Sequence, residues 1–442
     1  MNSSPNLDAP GLPQRSQAGS GCSTTGVGGW DGSLMRHLLL LCLAFADFAS
    51  AQSTDPFPTP PNQKGLQVQM VDDALALGIH HAGVNINLTA LLDMKSKPET
   101  GEFVFNQNYL ASLDRQIKPL SDQGVLVYTI LIAYPSKDPA RDAIVLHPGH
   151  RKDHKFSVGA VNTTNRFLDA VISLLAERWS GAHAEHGRVW GWIIGNEVNS
   201  HFLWNNMGPV PLETAVSEYE KAYRIAHTAI RRHSQHARTY ASFDHHWASS
   251  MHNVSAQEAT PGRDFLDTFA RLVRERGDFD WNVAWHPYPE DLGNPRAWAD
   301  KSITTDDNSN KVTFKNLQVL AQHLAKPELL HQGKPRRIIL SEQGFHTLLT
   351  PDGETLQAAA YAYAWEKIQT LPTVDAFIYH RHVDHAHEGG LRLGLWRNAP
   401  NSVADPHSKK LIYDLFKKAG TPEWRAAADA LLPVTGSKAW GQ

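Results

Sequence analysis

Residues 188–197 read RVWGWIIGNE, an apolar run of strand length that ends abruptly on a carboxylate. Nearly continuous apolar residues bounded by glycine are the pattern of a parallel strand buried on both faces. An unpaired charge inside such a strand is costly, so Glu197 belongs at its exit, where the carboxyl end opens onto a site. The same pattern recurs along the chain at 79–87 (IHHAGVNIN), 124–133 (GVLVYTILIA), 238–247 (RTYASFDHHW), 280–288 (DWNVAWHPY), 336–343 (RRIILSEQ) and 374–382 (VDAFIYHRH). Helical patterns separate them at about 106–123, 163–179, 212–235, 262–277, 315–326, 354–369 and 405–418. In 212–235 the apolar stripe is carried by Ala215, Tyr219, Ala222, Tyr223, Ile225 and Ile230, spaced at the helical period. An eighth strand has to precede residue 79, and 65–69 (GLQVQ) is a weak candidate. Eight β-then-α units predict an α/β fold, a (β/α)8 barrel with long connections after its strands.

Composition narrows the function. The 442 residues carry 42 Lys plus Arg against 45 Asp plus Glu, a net charge of -3 that provides no electrostatic footprint for nucleic acid. Cysteine occurs only at 22 and 42, which leaves the body of the chain without a thiolate metal site or a disulfide framework. No strand is followed by a GxGxxG turn or a GxxxxGK[ST] loop, so the nucleotide-binding readings lack their usual support.

The front end reads differently. Residues 1–34 are rich in Ser, Gly and Pro without apolar periodicity and are expected to be a disordered or mis-assigned extension. Residues 35–51 have the form of an export signal: Met35-Arg36-His37, an apolar run from Leu38 to Phe48, then Ala49-Ser50-Ala51 as a cleavage site. The run is too short for a stable membrane anchor. The expectation is a secreted or periplasmic protein with one catalytic domain over 60–425 and a tail at 426–442.

Two strands exit on glutamate. Glu197 ends the fourth strand and Glu342 ends the seventh, counting 65–69 as the first. Either residue alone fits a salt bridge or a solvated loop. Together they can face one another across the barrel mouth and flank a glycosidic oxygen, one protonated as acid and one ionised as nucleophile.

With these residues in place, the sequence resembles a clan A glycoside hydrolase. Gly195-Asn196-Glu197 matches the Asn-Glu signature that ends strand 4 in that clan, and Ser341-Glu342 matches the strand 7 glutamate. Trp285-His286-Pro287-Tyr288 resembles the His-Pro-Tyr-type segment at the end of strand 6. More closely, GWIIGNEVNSHFLWNNMG, AWHPYP, IILSEQGF and HRHVDH resemble a bacterial family classed under a domain-of-unknown-function label among the barrel hydrolases, over roughly 65–418. The resemblance implies Glu197 as acid/base and Glu342 as nucleophile of a retaining enzyme that needs no metal or organic cofactor. It implies that Asn196 donates to a sugar 2-hydroxyl and that Tyr288 orients Glu342. Two positions depart from the clan: Asn85 and Asn87 stand where many members place an Arg near the end of strand 2, and His380-Arg381-His382 stands where many place a Trp.

Other strand ends supply candidate contacts to an oligo- or polysaccharide. His246, His286, His380, Arg381 and His382 offer hydrogen bonds, Trp204, Trp247 and Trp396 offer rings for stacking, and Asp244 offers a third carboxylate or a support for His246. Two alternatives stay open. Strand-end histidines converging on zinc would make a metal-dependent barrel hydrolase, although a His-x-His motif ending the first strand is missing and His80-His81 begin a strand instead. A barrel without catalysis would bind glycan only.

Overall fold

The computed structural model describes residues 52–151 and 157–440. Residues 1–34 and the export-signal segment 35–51 lie outside the described residues, as do both cysteines. Eight parallel strands close into a barrel: β1 (Lys64–Gln67), β2 (His81–Asn87), β3 (Leu126–Ile132), β4 (Val189–Ile194), β5 (Arg238–Phe243), β6 (Trp281–Trp285), β7 (Ile338–Leu340) and β8 (Val374–Tyr379). Each is followed by a helix: α1 (Val71–Ala76), α2 (Gln107–Asp122), α3 (Phe167–Ser180), α4 (Leu212–His233), α5 (Gly262–Glu275), α6 (Gln318–Leu324), α7 (Gly353–Ile368) and α8 (Leu411–Lys418). This is the (β/α)8 fold that the alternation of apolar runs and helical stripes predicts.

The strand sequences dictate two apolar layers. In β3 every residue is buried. Leu126, Tyr128, Ile130 and Ile132 enter an inner cluster with Ile193, Tyr240, Ile339 and Ile378. Their neighbours Val127 and Leu131 join the outer layer that packs under the helices. The period of two therefore serves both layers, which is why these strands read as continuously apolar.

The inner layer is tight enough to require a glycine. A Cβ on Gly191 of β4 would come within 2.0 Å of the Tyr128 ring, and Tyr128 is fully buried. Gly191→Ala is expected to cost about 1–3 kcal/mol through overpacking, read as a lowered denaturant midpoint with an unchanged slope.

β1 is weak in sequence because its residues do several jobs. Leu66 pairs with Tyr379 on one side and Ala82 on the other, closing the barrel. Gly65 lets the strand approach β2, and Gln67 points at the mouth rather than into a core. The strands also end earlier than their apolar runs suggest, β4 at Ile194 and β7 at Leu340. The residues beyond leave the ladder to form the turns that present the site. One helix is shorter than expected: 406–409 forms a strand paired with 396–398, and α8 begins only at Leu411. Pro406 disfavours helical geometry at Asp405 and keeps the segment extended.

Candidate active site

Past Ile194, Gly195 takes φ +78° and donates its N–H to the Leu131 carbonyl. Glu197 itself sits at φ +40°, a costly conformation for a side chain of its size. Its N–H is held by Ser242 Oγ at 3.1 Å, and the next N–H, of Val198, reaches the Ser242 carbonyl. This turn swings the Glu197 carboxylate over the mouth, where Oε1 lies 2.8 Å from His286 Nδ1. The other ring nitrogen of His286 meets Ser341 Oγ at 2.9 Å and Ser242 Oγ at 3.3 Å. Glu342, the residue after Ser341, accepts from Tyr288 Oη at 3.2 Å and from Gln67 Nε2 at 3.5 Å. One ligand atom from each of Glu197, His286 and Glu342 lies within 4.8 Å of the others.

Electrostatics separate the two glutamates. Burial pushes the Glu197 carboxyl up; the hydrogen bond from His286 opposes this, and the charges of Asp244 and Glu342 add to the rise. Burial would lower His286, but its bond to Glu197 and the Glu342 charge outweigh that and raise it. The pair therefore keeps a proton above the ordinary carboxylate range. Tyr288 is pushed well above its usual value, first by burial and then by the Glu342 charge, so its hydroxyl stays a donor to Glu342.

The other candidates divide. Asn196 is buried beside Glu197, with no hydrogen bond to its side chain among the described residues. Asn85 is exposed in β2, whose neighbours Val84 and Ile86 pack outward, so it faces the mouth from inside the barrel. His380 and Arg381 reach the mouth after β8. Trp204 is half-buried against the inner cluster.

The remaining five candidates are held by other contacts. Trp247 has no exposed surface, and its N–H is spent on the Asp307 carbonyl, so it is core and offers no ring to a sugar. His382 is buried against Asp73 of α1, which also accepts from Trp396 Nε1 and Tyr413 Oη. His382 and Trp396 thus brace α1 against the last hairpin. His246 stands behind the Glu197 turn at 3.2 Å from Asp244. Asp244, buried, accepts from Asn199 Nδ2 at 2.7 Å and from Ser200 Oγ, and so clamps the turn itself.

The strand-end histidines do not converge as a zinc site. His286 is committed to Glu197, His380 to Gln67 and Glu388, His382 to Asp73, and His245 to the Tyr288 carbonyl. Among the described residues the one group of His and acidic ligands close enough to hold a metal ion is Glu197, His286 and Glu342.

Three residues at the mouth escaped the reading of the sequence. Gln67 ends β1 and Tyr134 follows β3, both positions that a strand-end rule reaches. Burial and then the Glu342 charge push the Tyr134 hydroxyl up to about 12. Glu388 lies in the long connection after β8, where no motif singles it out from its neighbours.

The family model for a family of unknown function, DUF5722, matches residues 56–442. The chain belongs to this family. No curated protein matches the sequence significantly. Among solved structures the chain is similar to a family 39 glycoside hydrolase from Bacteroides cellulosilyticus WH2, with TM-score 0.52, 12% identity and 84% of this chain covered. It is similar to a glucosidase from Croceicoccus marinus, with TM-score 0.50 at 13% identity and 84% coverage. A hyperthermophilic β-glucosidase from Pyrococcus furiosus gives TM-score 0.50 at 13% identity, covering 82% of this chain and 86% of its own. The chain spans 66% of the length of each of the first two. At such identities the likeness is one of fold, a (β/α)8 barrel. No described helix is long and apolar enough to cross a membrane.

Proposed function

We propose that this DUF5722 chain is an exported retaining glycoside hydrolase acting on an oligo- or polysaccharide by double displacement. The observation that carries the reading is the approach of one oxygen each of the Glu197 and Glu342 carboxylates to within 4.8 Å just beyond β4 and β7. Retaining enzymes hold their two carboxyl groups about 5–5.5 Å apart, whereas inverting ones need about 6.5–9.5 Å to admit a water.

In the first step Glu342 attacks the anomeric carbon while Glu197 gives its proton to the departing glycosidic oxygen. The bond to the leaving group breaks as the ester to Glu342 forms. That ester removes the Glu342 charge, one cause of the raised proton affinity of Glu197. Glu197 then takes a proton from water, which attacks the same carbon and restores Glu342. His286 stays bonded to Glu197 through both steps and steadies whichever charge it carries. Asn196, Asn85 and Arg381 are proposed sugar contacts, and Trp204 a stacking ring at the rim.

The test is reducing-end release from a broad glycan panel, with the product anomer read by proton NMR before mutarotation, with and without a chelator. Release with the anomer retained and no chelator effect is expected. An inverted first product would overturn the double displacement, and loss with chelator would move the chemistry to a cation held by Glu197, His286 and Glu342.

A further inference from the structure

The two-carboxylate reaction assigns no part to Glu388, although it stands at the same mouth with its side chain 18% exposed. One of its oxygens meets His380 Nε2, and the other lies 3.5 Å from Arg381 Nη1. Burial would raise its carboxyl, but the adjacent His380 and Arg381 outweigh burial and hold it at about 2. Across the same imidazole, His380 Nδ1 is 2.6 Å from Gln67 Oε1. The amide nitrogen of Gln67 then donates to the Ser341 carbonyl at 3.3 Å and to Glu342 Oε2 at 3.5 Å. Side chains thus run without a break from Glu388 through His380 and Gln67 to the nucleophile.

An amide has two unlike ends. If Gln67 turned over, its carbonyl would face the Ser341 carbonyl and the Glu342 carboxylate, acceptor against acceptor. The group that fixes its orientation is the proton on His380 Nδ1. His380 Nδ1 faces the Gln67 carbonyl while its Nε2 faces the Glu388 carboxylate, so Glu388 holds the ring in the orientation that keeps Nδ1 on Gln67.

We propose that Glu388 is a positioning residue that acts through His380 to keep the donor end of Gln67 on Glu342. The two oxygens of the nucleophile are then held by Tyr288 on one side and Gln67 on the other. This rests on Glu342 being the nucleophile.

The test is a double-mutant cycle on the full chain, using the substrate found in the glycan panel. A hydrogen bond to a charged group supports an expected loss of about 30-fold in kcat for Gln67→Leu and about 10-fold for Glu388→Ala, with KM within about threefold. The double variant is expected to be no slower than Gln67→Leu, since the second change acts through a group already gone. Glu388→Gln is expected to recover most of the rate, because its amide can still bond to Nε2 while Nδ1 keeps its proton on Gln67. A second readout needs no substrate: the side-chain amide resonance of Gln67, assigned by its loss in Gln67→Leu, is expected to move in Glu388→Ala and return in Glu388→Gln. An amide that does not move, rate losses that multiply in the double variant, or an effect confined to KM would overturn the positioning role. Turnover that persists in Glu342→Gln would overturn the nucleophile assignment and the positioning role with it.

Discussion

Replacing Glu342 by Gln is expected to cut turnover by roughly 10⁴-fold or more, about 5.4 kcal/mol of transition-state stabilisation. The amide is nearly isosteric and can keep its contacts to Tyr288 and Gln67, so the loss reads on nucleophilicity rather than on folding. Glu197 is expected to behave differently. A Glu197→Ala variant loses acid assistance, worth about 10²–10⁴-fold on natural linkages, yet retains its first step on aryl glycosides whose leaving group needs no proton. Its glycosyl ester then accumulates, because water lacks a base. Azide, which needs none, is expected to release it as a glycosyl azide of retained configuration. In Glu342→Ala, azide fills the place of the missing carboxylate and the product is expected to be inverted. Anomeric configuration by proton NMR thus reads the role of each residue separately. A Glu342→Gln variant with a tenth of the native rate, or azide products of the same configuration from both alanine variants, would sink the assignment.

Acid is expected to unfold this protein well before its carboxylates are exhausted. Burial lowers His81 to about 4, while burial together with nearby cationic side chains lowers His227 and His245 to about 3. Each is neutral in the folded state. His81 meets Tyr128 Oη and the Asn62 carbonyl inside the barrel, and His227 meets Thr239 Oγ1 beneath α4. For a base whose folded pKa is depressed, both states are neutral above about pH 6.5 and nothing is gained or lost. Below that the unfolded chain takes up protons that the folded chain refuses. Each histidine then withdraws about 1.4 kcal/mol per pH unit until its folded value is reached. Between pH 8 and pH 5 the three together withdraw about 6 kcal/mol, which is a large part of an ordinary domain's stability. The unfolding midpoint by scanning calorimetry is expected to fall by roughly 10 °C across that range. The depressed carboxylates Asp73, Asp114 and Asp307 act in the same direction at lower pH. Their part is separated by His227→Gln, which is expected to remove about a third of the drop while keeping a partner for Thr239. An unchanged drop in that variant would show that buried neutral histidine is not the cause.

Much of this was legible in the chain. Continuous apolar runs such as 126–132, helical stripes such as the one on 212–235, and carboxylates at two strand exits follow from local rules. A strand buried on both faces has to be apolar along its length, and a charge can then stand only where the strand leaves the barrel. The sequence determined in this way the (β/α)8 order and the places of Glu197 and Glu342 at strand exits, while Tyr288 beside Glu342 was implied by the family resemblance.

What happens beyond a strand end is another matter. There the backbone leaves its ladder, and the direction of each side chain depends on turns such as the positive φ at Glu197 and on partners from distant segments. Trp247, His382 and Trp396 occupy strand-end or loop positions that read like Asn85 or His380. Barrel closure and the packing of α1 turned them into core and brace instead. Gln67 and His380 are 313 residues apart, and Glu197 and His286 are 89 apart. Only tertiary structure could bring such pairs within hydrogen-bond reach, because which exits face one another is fixed when β1 pairs with β8, and no local pattern encodes that distance.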